Sequence, residues 1–317
     1  MAEVHAAVWG LVLIVGAVAA AAFLTWFERR LLGIWQDRYG PNRLGPFGVL
    51  QVAADMLKLL GKDDWIPPFA DRVLFVLAPV AVVVVTLLAL AVVPFSPGLQ
   101  VIDMHVGLLF FLAMTSLAVY SVLLGGFASN NKFALLGGLR SAAQMISYEV
   151  FMGLSMMGVV MLTGSFSLRE IVEAQRGLWF CIPQVIGLAC FTVAGVAESH
   201  RLPFDLPEAE HELTAGFHSE YGGMKFAMLM LGEYLSLILI ACMMTVLFFG
   251  GWLGPWLPPL LWFLIKVFLV ICFFILLRAA LPRPRYDQLM TYGWKYLLPL
   301  TLLNLLLTGA LALALGG

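Results

Sequence analysis

Apolar runs of about 20 residues, separated by glycine, proline and charge clusters, set the pattern of the chain. They cover residues 6–27, 73–93, 107–127, 142–162, 178–197, 226–249, 259–281 and 296–315. A helix rising about 1.5 Å per residue needs about 20 such residues to cross a hydrocarbon core, so the pattern predicts about eight transmembrane helices. Paired glycines at 125–126, 137–138, 222–223 and 250–251 fall at or near the span ends, where turns are needed. One segment follows a different rule. Val49, Val52, Ala53, Met56, Leu57 and Leu60 recur at i, i+3, i+4, i+7, i+8 and i+11, while Gln51, Asp55, Lys58 and Lys62 line another face. This predicts an amphipathic helix that lies along the membrane surface or packs its stripe on protein.

Composition sharpens the picture. Side chains are 62% hydrophobic and 12% charged, against about 45–50% and about 25% in soluble domains. The expectation is an all-α polytopic membrane protein forming a single integral membrane domain over residues 1–317. A net charge of −1 carries no basic excess that would favour nucleic acid. Cys181, Cys190, Cys242 and Cys272 lie in apolar stretches without paired spacing and read as small buried hydrophobes. The first 27 residues lack a basic leader and a small-residue cleavage site, and read as a retained span.

Charge is distributed by side. The loops after spans one, three, five and seven carry 7, 2, 2 and 4 of the 18 lysines and arginines, counting Arg278 in the last turn of span seven. The opposite side has only Arg169 and Arg176, and Lys266 lies inside span seven. By the positive-inside rule both termini are expected on the non-cytoplasmic side. Loops 28–72 and 198–225 each hold six carboxylates, so the cytoplasmic face is rich in both signs.

Two acids sit within spans, Glu149 in the fourth and Glu233 in the sixth. A charge at mid-span costs about 2.5–3.5 kcal/mol, whereas each good apolar residue returns about 0.3–0.6. Such a group faces protein or a water-filled cavity, or carries a proton. That is the behaviour a proton relay requires; a hydrogen bond to a neighbouring helix is the simpler alternative. The densest constellation is Glu198-Ser-His-Arg-Leu-Pro-Phe-Asp-Leu-Pro-Glu-Ala-Glu-His-Glu212, followed by Glu220. Pro203 and Pro207 forbid one continuous helix there. Its acids, Glu198, Asp205, Glu208, Glu210, Glu212 and Glu220, face only Arg201 and Lys225 in their own loop. One Glu-x-x-His pair, Glu208 and His211, falls short of the two pairs a di-iron bundle uses. Position 215 is Ala, which rules out a zincin motif. No metal site is expected. The chain also lacks a phosphate-binding loop, a dinucleotide fingerprint and a nucleophile triad, so no redox cofactor of its own is expected.

Long strings carry a resemblance. Glu28-Arg29-Arg30, Gln36 to Arg43 (QDRYGPNR) with Gly45-Pro46, Ser129-Asn130-Asn131-Lys132 and Leu136 to Glu149 (LGGLRSAAQMISYE) are similar to the H-subunit family of bacterial NADH:quinone oxidoreductase, respiratory complex I. So are the PFDLPEAE segment, Gly222 to Phe226 (GGMKF), Gly232-Glu233-Tyr234 and Leu281 to Gln288 (LPRPRYDQ). The matches run from the first span to the last. Val52-Ala53 stands where many relatives have Pro-Ile, which bears only on the start of the amphipathic helix.

The resemblance implies a bacterial inner-membrane subunit on which a peripheral quinone-reducing arm docks beside antiporter-like pumping subunits. It implies a quinone chamber or docking surface at Glu28, Arg29, Asp55, Arg201 and Arg278, with quinone as substrate. It implies a proton and coupling trail through Glu149, Glu198, Asp205, Glu208, Glu210, Glu212, Glu220 and Glu233. Flavin, iron–sulfur clusters and the NADH site belong to partner subunits. The alternatives are the homologous subunit of an energy-converting hydrogenase, a stand-alone secondary transporter, and a passive scaffold with structural acids.

Overall fold

Apolar length and capping chemistry together decide where the helices of this chain begin and end. The computed structural model describes residues 2–205 and 215–314, with side chains from Val8 onward. In chain order the α-helices are α1 (Ala2–Trp35), α2 (Gln51–Gly61), α3 (Arg72–Ala91), α4 (Gly107–Ala128), α5 (Lys132–Thr163) and α6 (Leu168–Ala174). They continue with α7 (Val185–Glu198), α8 (Gly223–Phe248), α9 (Pro259–Ala280), α10 (Tyr286–Tyr292) and α11 (Leu298–Ala314). A π turn, Gly293–Leu297, joins α10 to α11 into one run. Asp71 caps α3 by accepting from the amides of Val73 and Leu74, and Asn131 caps α5 by accepting from that of Phe133. Gly164 ends α5 in the left-handed region, at φ 69°, where a side chain would be strained.

Among the described residues, seven helices are long and apolar enough to cross a membrane: α1, α3, α4, α5, α8, α9 and the run through α10 and α11. The fifth expected span is shorter than its hydropathy suggested. Residues 178–184 form turns, and only the 14 residues of α7 are helical. Pro183 explains the loss, because it disfavours helical backbone in the residue before it and cannot donate within a helix. At about 21 Å, α7 is too short to span alone, and its residues are mostly buried by α5 and α8. The amphipathic segment is helical as α2, but Ala53, Met56, Leu57 and Leu60 remain exposed. Its apolar stripe is therefore turned away from the rest of this chain.

Loops gather at two ends. At one end Asp71 N donates to Ala128 O (3.1 Å), Asn130 to Phe69 O (3.2 Å), Asn131 to Glu220 (2.8 Å) and Lys225 to Asp64 (2.5 Å). At the other, Leu108 N donates to Phe166 O (3.1 Å) and Cys181 N to Phe248 O (2.8 Å), while Gln175 bonds Val246 O and Gly250 N. Between the two ends the core is apolar, with α3, α4, α5, α7 and α8 packed on one another.

Candidate functional site

Five helices enclose a cavity of about 40 Å³ whose wall mixes aliphatic and ionisable groups. Val82 and Thr86 come from α3, Thr115 from α4, Met145 from α5, and Glu233 and Ser236 from α8. Glu198, the last residue of α7, and His200 close it from the connecting loop, together with Phe217. A water needs about 10–15 Å³ on this measure, so the space admits roughly three.

Glu149 approaches the cavity from α5. Its Oε1 accepts from Ser116 Oγ and from Thr115 Oγ1 at 3.3 Å, and Thr115 itself lines the cavity. Glu198 is buried, its Oε2 has no hydrogen-bond partner among the described residues, and the charge of Glu149 acts on it. Glu233 lies with Oε1 3.8 Å from His218 Nε2. His200 Nε2 is 2.9 Å from Ser141 Oγ on α5. The loop is pinned from the same helix: Gln144 Nε2 donates to Ala197 O (2.8 Å) and Phe204 O (2.9 Å).

A second cluster lies beside the first. Glu28 on α1 is 2% exposed. Arg201 Nη1 donates to its two oxygens at 3.1 and 3.3 Å, and Arg278 from α9 donates to Oε1. The Arg201 guanidinium carbon stands 4.2 Å from the Tyr234 ring centroid. Burial alone would favour loss of the Arg201 proton, but the charge of Glu28, then Tyr234 and Glu233, outweighs it and holds the group above its ordinary value. Arg201 is therefore a permanent cation that feels both Glu28 and Glu233. A space of about 10 Å³ borders Glu28, Arg201 and Arg278.

The thirteen site residues expected from the sequence divide into groups. Glu149, Glu198 and Glu233 come together around the cavity, while Glu28, Arg201 and Arg278 form the buried triad. Arg29 turns the other way on α1 and pairs with Asp55 of α2 at 2.7 Å, more exposed than its neighbour Glu28. Glu220 is half-buried against Asn131 on the loop face, and Asp205 is half-buried at the end of the connecting loop. Glu208, Glu210 and Glu212 lie outside the described residues. Sequence reasoning missed Thr115, Ser116, His200, His218 and Tyr234. Hydroxyls in an apolar span carry a weak signal; the two histidines and Tyr234 sat beside acids already singled out.

Two comparisons with known proteins point the same way. A family model described as NADH dehydrogenase matches residues 8–309. The chain is 62% identical over 303 residues to the NADH-quinone oxidoreductase H-subunit of Methylococcus capsulatus strain Bath, covering 95% of this chain and 96% of that relative. With its membrane helices and continuous coverage, the chain belongs to the NADH dehydrogenase family.

Proposed function

We propose that this chain is the membrane subunit of a proton-translocating NADH:quinone oxidoreductase that joins a quinone chamber to a buried acidic trail. The relative's name and the multi-pass helical fold support the coarser part: a subunit of an oxidoreductase complex in the bacterial inner membrane, assembled with other subunits of that complex. Nicotinamide, flavin and iron–sulfur chemistry then belongs to those partners. The Glu28–Arg201–Arg278 triad borders the quinone chamber, with Arg29 and Asp55 toward the docking surface. Glu149, Glu198 and Glu233 form the core of the trail with Asp205 and Glu220, and Glu208, Glu210 and Glu212, outside the described residues, are assigned to it from the sequence.

The observation that carries this reading is the position of Arg201. Its charge acts on Glu28 in one cluster and on Glu233 in the other, so a change of charge beside the triad alters the proton affinity of the cavity acids. Moving one charge through 100 mV requires about 2.3 kcal/mol. A hydrogen bond to a charged group, made or broken, supplies about 1.5–3 kcal/mol, which is the right size to couple the two. A transporter or a passive scaffold gives no reason for a cation shared in this way.

The test is Glu149→Gln in the intact complex, reconstituted in sealed vesicles. Quinone-linked proton pumping should fall by about tenfold or more, since a positioned proton carrier contributes 10²–10⁴-fold. Assembly is followed by the rate of NADH oxidation with an artificial acceptor. Wild-type pumping in a fully assembled Glu149→Gln complex would remove this residue from the trail.

A further inference from the structure

His218 ends a single 3-10 turn, Gly216–His218, approached through two left-handed residues, Ala215 at φ 79° and Gly216 at φ 54°. The turn is wedged onto α5: a Cβ added at Gly137 would stand 2.8 Å from both Gly216 Cα and Phe217 N. The imidazole is 5% exposed. Phe217 lies against its face, ring centroids 3.8 Å apart, and Phe226 meets it edge-on at 5.7 Å. Within this apolar jacket Nε2 is directed to Glu233 Oε1 at 3.8 Å. A phenyl ring would fill the same space without the cost of burying a polar ring, so packing alone does not account for histidine here.

The surrounding charges favour exchange. Glu233 faces the imidazole from α8; α4 carries no acid, lysine, arginine or histidine; α5 carries Lys132, Arg140 and Glu149. Across the cavity stand Glu198 and His200, and Arg201 acts on Glu233. A proton shared by one imidazole and one carboxylate leaves the pair at net zero wherever it sits. Moving it within the pair avoids the penalty of changing the net charge of a buried site. The gap exceeds a direct hydrogen bond, so transfer takes place as the two side chains close on one another.

We propose that His218 is a proton-relay residue paired with Glu233, an assignment that rests on the trail reading above. The Nε2–H bond breaks as Oε1–H forms, turning imidazolium and carboxylate into neutral imidazole and carboxylic acid; the return transfer recharges both. No oxidant or reductant takes part. The relay gives the loop segment 215–222 a direct part in loading the cavity.

The experiment measures proton pumping from about pH 5.5 to 8.5 by the reconstituted complex, in wild type and in His218→Asn, Glu233→Gln and Glu233→Asp. Artificial-acceptor activity again reports how much complex has assembled. In His218→Asn the rate should fall by about tenfold and the profile should differ in shape from wild type, while Glu233→Gln should lower pumping at every pH. If His218→Asn reproduces the wild-type profile while Glu233→Gln is impaired, the relay is overturned and the acidic trail stands. If Glu233→Gln pumps normally, both fall. Should His218→Asn fail to assemble, Glu233→Asp decides: withdrawing the carboxyl by about 1.5 Å lengthens the proton's path from Nε2 and should slow pumping severalfold, and a wild-type rate overturns the relay.

Discussion

Neighbouring residues on one helix turn point about 100° apart, and here that angle separates roles. Glu28 faces the buried triad while Arg29 faces α2; Glu233 lines the cavity while Tyr234 lies under Arg201. Lys266 shows how a single side chain can settle a charge without an acid. Its Nζ donates to the carbonyls of Phe249 (2.7 Å), Gly251 (3.0 Å) and Leu253 (2.6 Å), and sits 4.3 Å from the Trp179 ring centroid. These carbonyls include the orphaned acceptors beyond the end of α8, where a cation also suits the helix dipole. Lys266→Met would take the shared donor from all three and remove the cation–π contact. The expected cost is about 3 kcal/mol, the mid-range for a broken buried charged network, read as a lower melting temperature of the purified complex. A melting temperature equal to wild type would show that the cage holds nothing together.

Hydropathy made the long helices legible because lipid and protein core demand the same apolar character. It says little where backbone packing decides. The helical extension of α1 to Trp35 and the start of α5 at Lys132 run beyond the apolar runs, since amphipathic turns continue a helix past the hydrocarbon without a hydropathy signal. In the stretch 178–184 the reverse holds: the residues are apolar enough to span, but Pro183 and the bonds made by Gln175 and Gln184 turn the chain instead. Two acids of the cavity, Glu149 and Glu233, are visible as costly residues in spans, and Glu198 as the head of the acidic loop, whereas the hydroxyls and imidazoles that meet them depend on helix register and loop placement. Gly137 belongs to this second kind, for its glycine matters through the turn it touches. Gly137→Ala would push against backbone of residues 216–217 that cannot yield as a flexible side chain does. Overpacking of this sort costs about 1–3 kcal/mol. The expected outcome is reduced assembly of the complex, with the residual complex shifted in its pumping rate; normal yield and pumping would show that the turn adjusts freely.

At the scale of the whole molecule, every cross-loop contact described above joins segments of like side. Loops 36–71, 129–131 and 199–222 bond to one another, as do the regions of 92–106, 164–184 and 249–258. The first set carries Arg38, Arg43, Lys58, Lys62 and Arg201, and the second carries Arg169 and Arg176, with Arg169 near Asp103 at 3.8 Å. Each basic residue carried across the bilayer costs energy during insertion, so the lysine- and arginine-rich set is expected to stay in the cytoplasm. On that orientation the acidic cavity has its ionisable loop wall, Glu198 and His200, nearer the cytoplasm, the side from which the proposed trail would be loaded. Gly98 and Gly177 test this, because both lie exposed on the opposite face with open space around the backbone. Gly98→Cys and Gly177→Cys should react with a membrane-impermeant maleimide in intact spheroplasts, while the native cysteines, buried or half-buried, stay largely unlabelled. Labelling confined to inverted vesicles would reverse the orientation. The cavity acids would then draw protons from the other side of the membrane, and the coupling proposed through Arg201 would run against the potential it is meant to build.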